Sequence, residues 1–92
     1  MTELEELRKK IEKITIEMLS LLKTRTEIAQ EIGKIKNQQG RSVSNESRED
    51  ELRELVKKRC QEINFDSNLA LQFLNFLLNE SVKVQSSESN TH

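Results

Sequence analysis

The chain of 92 residues is almost neutral, with 15 Lys and Arg against 16 Asp and Glu, and it contains no Pro, Trp or Tyr. Such a chain lacks the basic patches and stacking aromatic side chains that favour nucleic-acid binding. One Cys excludes an intrachain disulfide framework, and no apolar run approaches the roughly 18 residues of a membrane span. We therefore expect a cytoplasmic protein with neither a nucleic-acid nor a membrane partner.

The first predicted element is one very long helix, with Thr2 as its N-cap and its end at Gly40. A helix of about 36 residues is roughly 54 Å long. Its apolar residues recur at alternating three-four spacing and so lie along one seam: Leu4, Leu7, Ile11, Ile14, Met18, Leu21, Ile28, Ile32 and Ile35. The roughly 50 residues that follow cannot cover this seam, so we predict that a second copy of the chain packs against it.

Two shorter helices are predicted to follow a loop of small polar residues that begins at Gly40. Asn45 is the expected N-cap of the second helix, which runs to about Glu62. Asp66 is the expected N-cap of the third helix. With helix-favouring residues dominating the composition, these elements indicate an all-α fold.

One domain is predicted over residues 1–86, because no linker or internal repeat divides the chain. Residues 87–92 carry no apolar side chain and predict a disordered tail. Cys60 is interpreted as a small packing residue, and His92 is assigned no chemistry.

Polar side chains interrupt the apolar stripes of all three helices. Each has an ordinary explanation: Arg25 could set the register of a coiled coil, and Glu49 could pair with Arg53 four residues later. Cations at flanking positions often keep their charged ends in water, and the third helix could simply reach the surface at its end. The interrupting residues are Arg8, Arg25, Lys36, Arg48, Glu49, Ser81 and Gln85.

Taken together, four cations and one carboxylate on stripes that face one core predict a bound guest with about two negative charges. A compact dicarboxylate would satisfy them through forked arginine pairing. Arg8 lies about 25 Å along the helix from Arg25, so it cannot serve the same site in one chain. If two long helices cross antiparallel near residue 20, Arg8 of one chain lies beside about residue 32 of the other, and two shared sites result.

Five segments hold these polar residues at fixed spacing: LRKKI at 7–11, LLKTRTEIA at 21–29, IGKIK at 32–36, NESRE at 45–49 and ESVKVQ at 80–85. In this series the chain resembles the all-helical chorismate mutase class, without gaps from about residue 4 to residue 85. The resemblance implies a three-helix protomer intertwined as a homodimer. It also implies rearrangement of chorismate to prephenate on the route to Phe and Tyr, with no cofactor and no metal.

The resemblance further implies a role for each matching residue. Arg25 and Arg8 of the partner subunit would clamp the two carboxylates of chorismate. Lys36 and Gln85 would donate to the ether oxygen, and Ser81 would support a carboxylate.

The start of the second helix would complete the site. Arg48 would order it together with Glu49, which would bind the ring hydroxyl. Asn45 stands where bacterial relatives often carry Asp, and its amide can both cap the helix and hydrogen-bond that hydroxyl.

Two other functions fit parts of the same pattern. An isochorismate pyruvate lyase resembles the same fold and also acts on a dicarboxylate enol ether. A helical dimerisation or regulatory module without turnover is the alternative outside the enzymes. That module should neither bind chorismate nor be stabilised by it.

Overall fold

The computed structural model describes residues 2–89, which form three helices and no strand. Helix α1 spans Glu3–Gln38, α2 spans Glu46–Ile63, and α3 spans Ser67–Ser89. The predicted all-α fold is confirmed, and α1 has the predicted length of 36 residues.

Each helix starts immediately after the residue predicted to cap it. The Thr2 hydroxyl accepts from the Glu5 N–H at 3.2 Å, and Asn45 Oδ1 accepts from the Arg48 N–H at 3.1 Å. Asp66 Oδ1 accepts from the Asn68 N–H at 2.9 Å. These side chains satisfy N–H groups that have no acceptor within the first helical turn.

Residues with a left-handed backbone conformation follow the first two helices. Beyond α1, Gly40 has φ 66°, where a side chain would be strained. Asn64 closes α2 with φ 54°, and its N–H bonds to the Cys60 carbonyl. Asparagine tolerates this conformation better than most residues, so it can replace glycine there.

Helix α3 continues through Ser89, three residues beyond the predicted end of the domain at residue 86. The predicted disordered tail, 87–92, therefore overlaps its last turn. Residues 90–92 lie outside the described residues.

Helix α3 is the central element, because it packs against both α1 and α2. Among residues 2–89, four apolar residues are buried, one in α1, one in α2 and two in α3: Ala29, Cys60, Leu74 and Leu78. The buried position of Cys60 agrees with its interpretation as a packing residue. This core is small, and it lies entirely in the C-terminal half of α1 and the two shorter helices.

The N-terminal half of α1 projects from this core, and every residue over 3–20 is exposed. Its apolar side chains expose between 51% and 70% of their surface: Leu4, Leu7, Ile11, Ile14, Ile16, Met18, Leu19 and Leu21. Six of them keep the predicted three-four spacing, and we call these six the α1 seam: Leu4, Leu7, Ile11, Ile14, Met18 and Leu21. An exposed apolar surface of this extent is typical of an interaction site. Within residues 2–89, none of the helices carries an apolar stretch sufficient to cross a bilayer.

Candidate active site

A cleft of about 410 Å³ lies where the C-terminal half of α1, the start of α2 and the end of α3 meet. Its polar lining consists of seven of the eight residues predicted to form the site: Arg25, Lys36, Asn45, Arg48, Glu49, Ser81 and Gln85. Its apolar walls are Ile28, Ala29, Ile32, Val43, Leu52, Leu78 and Val82. The cleft has the mixed character of small-molecule sites, with a few polar groups set in apolar walls.

Arg25 is held at one end of the cleft by α3. Its Nη1 donates to Ser81 Oγ at 2.7 Å and to the Leu77 carbonyl at 3.2 Å. The Ser81 hydroxyl in turn donates to the Leu77 carbonyl at 2.9 Å. A guanidinium has five N–H donors, so the donors beyond Nη1 can still bind a ligand. The arginine is thus oriented before any ligand arrives.

Lys36 is held at the other end by two acceptors. Its Nζ donates to Gln85 Oε1 and to the Val43 carbonyl, both at 3.0 Å. Gln85 is only 6% exposed, a low value for a polar side chain. An ammonium group has three donors, so Lys36 keeps a third N–H for a ligand. Since Oε1 of Gln85 accepts from Lys36, its Nε2 is the end of that amide that can donate.

The α2 side of the cleft is more open. Glu49 lies 3.6 Å from Arg53, the neighbour considered in the sequence, and its side chain is 22% exposed. Arg48 pairs with Glu51 at 3.1 Å, and its side chain is 61% exposed. Ion pairs this exposed contribute little to stability, so either arginine can be redirected at small cost. Asn45 uses Oδ1 for the helix cap, which leaves its NH₂ group as the donor toward the cleft.

The formal charge of the lining is positive. Arg25, Lys36 and Arg48 oppose the single carboxylate of Glu49, for a net charge of +2. Such a lining favours a small molecule with two negative charges over a neutral one.

Comparison with known proteins identifies the family to which this chain belongs. Residues 7–86 match the chorismate mutase type II family. The chain belongs to that family. A chorismate mutase of Methanocaldococcus jannaschii is 32% identical over 82 residues, which cover 89% of this chain and 83% of that protein. The prediction of an enzyme with chorismate mutase activity is thereby confirmed.

One predicted site residue of this chorismate mutase fold lies away from the cleft. Arg8 is exposed in the N-terminal half of α1, about 25 Å along the helix from Arg25. A single chain therefore does not bring Arg8 to the other seven residues.

The structure adds two groups that the sequence interpretation did not identify. The Val43 carbonyl is a main-chain acceptor, which any residue type supplies, so no sequence signal points to it. Gly33 is buried against α3. A lone glycine inside a helical pattern was the available signal for a close backbone approach.

Proposed function

We propose that the enzyme is a homodimer that rearranges chorismate to prephenate in two clefts, each completed by Arg8 of the partner subunit. It would act in the cytoplasm, on the route to Phe and Tyr. The observation that carries this proposal is the convergence of Arg25, Lys36 and Gln85 on one positively charged cleft.

The reaction requires shape and charge rather than a nucleophile. Chorismate is a dicarboxylate enol ether, and its rearrangement breaks the C–O bond of the ether while a C–C bond forms in the same step. Negative charge grows on the ether oxygen as its bond to carbon lengthens. A protein can accelerate this step by holding the compact conformer and by donating hydrogen bonds to that oxygen.

Lys36 and Gln85 are suited to donate hydrogen bonds to the ether oxygen. They are linked at 3.0 Å, so both end at the same point of the cleft. The third N–H of Lys36 and Nε2 of Gln85 would both donate to the ether oxygen. Because these donors are fixed before the substrate binds, little reorganisation accompanies the reaction.

Arg25 is suited to hold the compact conformer of chorismate. Its bonds to α3 fix the guanidinium plane, so it can receive one substrate carboxylate in a forked geometry. Ser81 would support this carboxylate through its contact with Arg25. Arg8 of the partner subunit would bind the second carboxylate and complete the clamp.

The residues of α2 would recognise the substrate ring. Glu49 would accept from the ring hydroxyl, and Asn45 would donate to it through its NH₂ group. Arg48 would turn from Glu51 toward the cleft and order this side of the site. The weak, exposed pair that it forms with Glu51 makes this rearrangement inexpensive.

The dimer is supported by the exposed α1 seam. A folded chain of this size has too small a core to leave such a surface uncovered. If two α1 helices cross antiparallel near residue 20, each seam is covered by the other copy. Arg8 then lies beside about residue 32 of its partner, between Arg25 and Lys36.

The direct test is the ultraviolet absorbance of chorismate on addition of the purified chain. We expect chorismate to disappear and prephenate to accumulate in equal amount. Isochorismate is supplied in a parallel reaction. Formation of salicylate and pyruvate from it, with chorismate left intact, would contradict the proposal and identify a lyase.

The rate is also expected to change little between pH 6 and 8. An amide at position 85 donates at any pH in this range, whereas a carboxyl group donates only when protonated. The variant Gln85→Glu should therefore lose activity as the pH rises, while the wild type does not. A pH–rate profile of both proteins measures this, and parallel profiles would exclude Gln85 from contact with the ether oxygen.

A further inference from the structure

Gly33 lies where the backbone of α1 comes close to that of α3. It is one of two buried residues of α1, the other being Ala29 one turn earlier. Glycine is the least favourable residue for a helix interior apart from proline. Its place in the middle of an otherwise regular helix therefore requires a local reason.

The reason is the main chain of α3. A Cβ atom on residue 33 would lie 2.8 Å from Gln85 Cα, 3.1 Å from Gln85 O and 3.2 Å from Gln85 Cβ. Ordinary contacts of a Cβ atom begin at about 3.4 Å. The opposing atoms belong chiefly to a helix backbone and cannot rotate away. A side chain here would move the two helices apart by about 0.6 Å or more.

This contact involves the residue that Lys36 binds. Gly33 and Lys36 are three positions apart and share one face of α1, and both touch Gln85. The bond from Arg25 to Ser81, which also joins the two helices, lies about 12 Å away along α1. Separation at Gly33 would thus affect the Lys36 end of the cleft more than the Arg25 end.

We propose that Gly33 is a positioning residue: its missing side chain brings α1 and α3 close enough for Lys36 and Gln85 to meet and to donate to the same atom. This inference rests on the proposed function of Lys36 and Gln85. It assigns Gly33 no contact with the substrate.

The test is the steady-state kinetics of Gly33→Ala with chorismate. We expect kcat to fall by about 10- to 100-fold, since sub-ångström to ångström displacements of catalytic groups have effects of this size. KM should change less, because the Arg25 clamp is distant.

The matched control is Gly40→Ala, the same chemical change at a position with nothing within 4 Å of the added atom. Its strained φ lowers stability, but kcat per folded enzyme should stay near that of the wild type.

A double-mutant cycle separates positioning from general packing. In a Gln85→Ala background, Gly33→Ala should cost no more than about threefold in kcat, because the donor that it displaces is already absent. The inference would be overturned if Gly33→Ala lowered kcat in the Gln85→Ala background as much as it does in the wild type. It would also be overturned if Gly33→Ala alone retained the wild-type kcat. A wild-type rate for Gln85→Ala itself would instead contradict the proposed function, and the inference with it.

A second variant leaves the helix contact intact. Gln85→Asn keeps the amide but retracts it by one methylene group, so it should lose kcat to a similar extent without a clash at Gly33. If Gln85→Asn retains the wild-type kcat, the distance between the helices is not limiting. The inference is then overturned even if Gly33→Ala fails to fold.

Discussion

Substitution of Lys36 by alanine is expected to lower kcat by about 10²- to 10³-fold, or about 3–4 kcal/mol of transition-state stabilisation. In the proposed site, Lys36 would bring a positive charge to the point where negative charge grows on the ether oxygen. Its bonds to Gln85 and to the Val43 carbonyl fix it there in advance. Because this interaction strengthens in the transition state, kcat should fall more than KM rises.

The matched control for this variant is Lys34→Ala. Lys34 lies two residues earlier on the same helix, is 54% exposed and pairs with Glu31 at 3.6 Å. Its removal changes the net charge equally but should leave kcat within about twofold, since exposed ion pairs contribute little. Equal rates for both variants would contradict the role of Lys36. Helical content measured by circular dichroism should match the wild type in both.

Substitution by alanine of either arginine that is proposed to clamp the substrate should be nearly as severe. Arg25→Ala removes a preoriented forked donor and leaves a substrate carboxylate unpaired, which typically costs 2–5 kcal/mol, about 30-fold to several thousandfold in kcat/KM. Arg25→Lys should recover little of this loss, because an ammonium group cannot pair in the forked geometry. Arg8→Ala should have a comparable effect although Arg8 is remote from the cleft of its own chain.

Lys10→Ala is the control for Arg8→Ala, because it removes a cation two residues away on the same exposed half of α1. It should retain the wild-type kcat/KM. Sedimentation at the assay concentration should show the same oligomeric state for both. If Arg8→Ala also retains the wild-type kcat/KM, Arg8 does not enter the site.

The helix boundaries could be predicted because each depends on a local signal. Thr2, Asn45 and Asp66 each accept from an N–H group two or three residues later, a contact set by the neighbouring sequence alone. The convergence of the site residues was also accessible from sequence. Residues three or four apart share a helix face, so polar positions within apolar stripes must point toward the same core.

The partners of the individual side chains could not be predicted in the same way. Glu49 faces Arg53, a partner that the spacing allowed, whereas the pair of Arg48 with Glu51 was not anticipated. These exposed alternatives differ by only tenths of a kcal/mol, so residue spacing does not choose between them. The bond from Lys36 to the Val43 carbonyl depends on the path of a loop, which side-chain chemistry does not encode.

The close approach of the α3 backbone to Gly33 also depends on tertiary packing, so it could not be predicted from the sequence. The sequence shows a glycine within a helix, but not the backbone that lies 2.8 Å from its missing Cβ. The α1 seam, by contrast, is a surface that the sequence did predict. Its three-four spacing predicted that a second copy of the chain packs against it, and this surface is uncovered in the single chain.

Mixed dimers of Arg8→Ala and Arg25→Ala test whether the cleft is shared between two subunits. If each cleft takes Arg8 from the partner subunit, a heterodimer contains one cleft with both arginines intact and one that lacks both. After the two inactive proteins are mixed in equal amounts and allowed to exchange subunits, half of the dimers are heterodimers, so about a quarter of the wild-type activity should return. No recovery, in a mixture that mass spectrometry of the native protein shows to contain heterodimers, would contradict a site built from two chains.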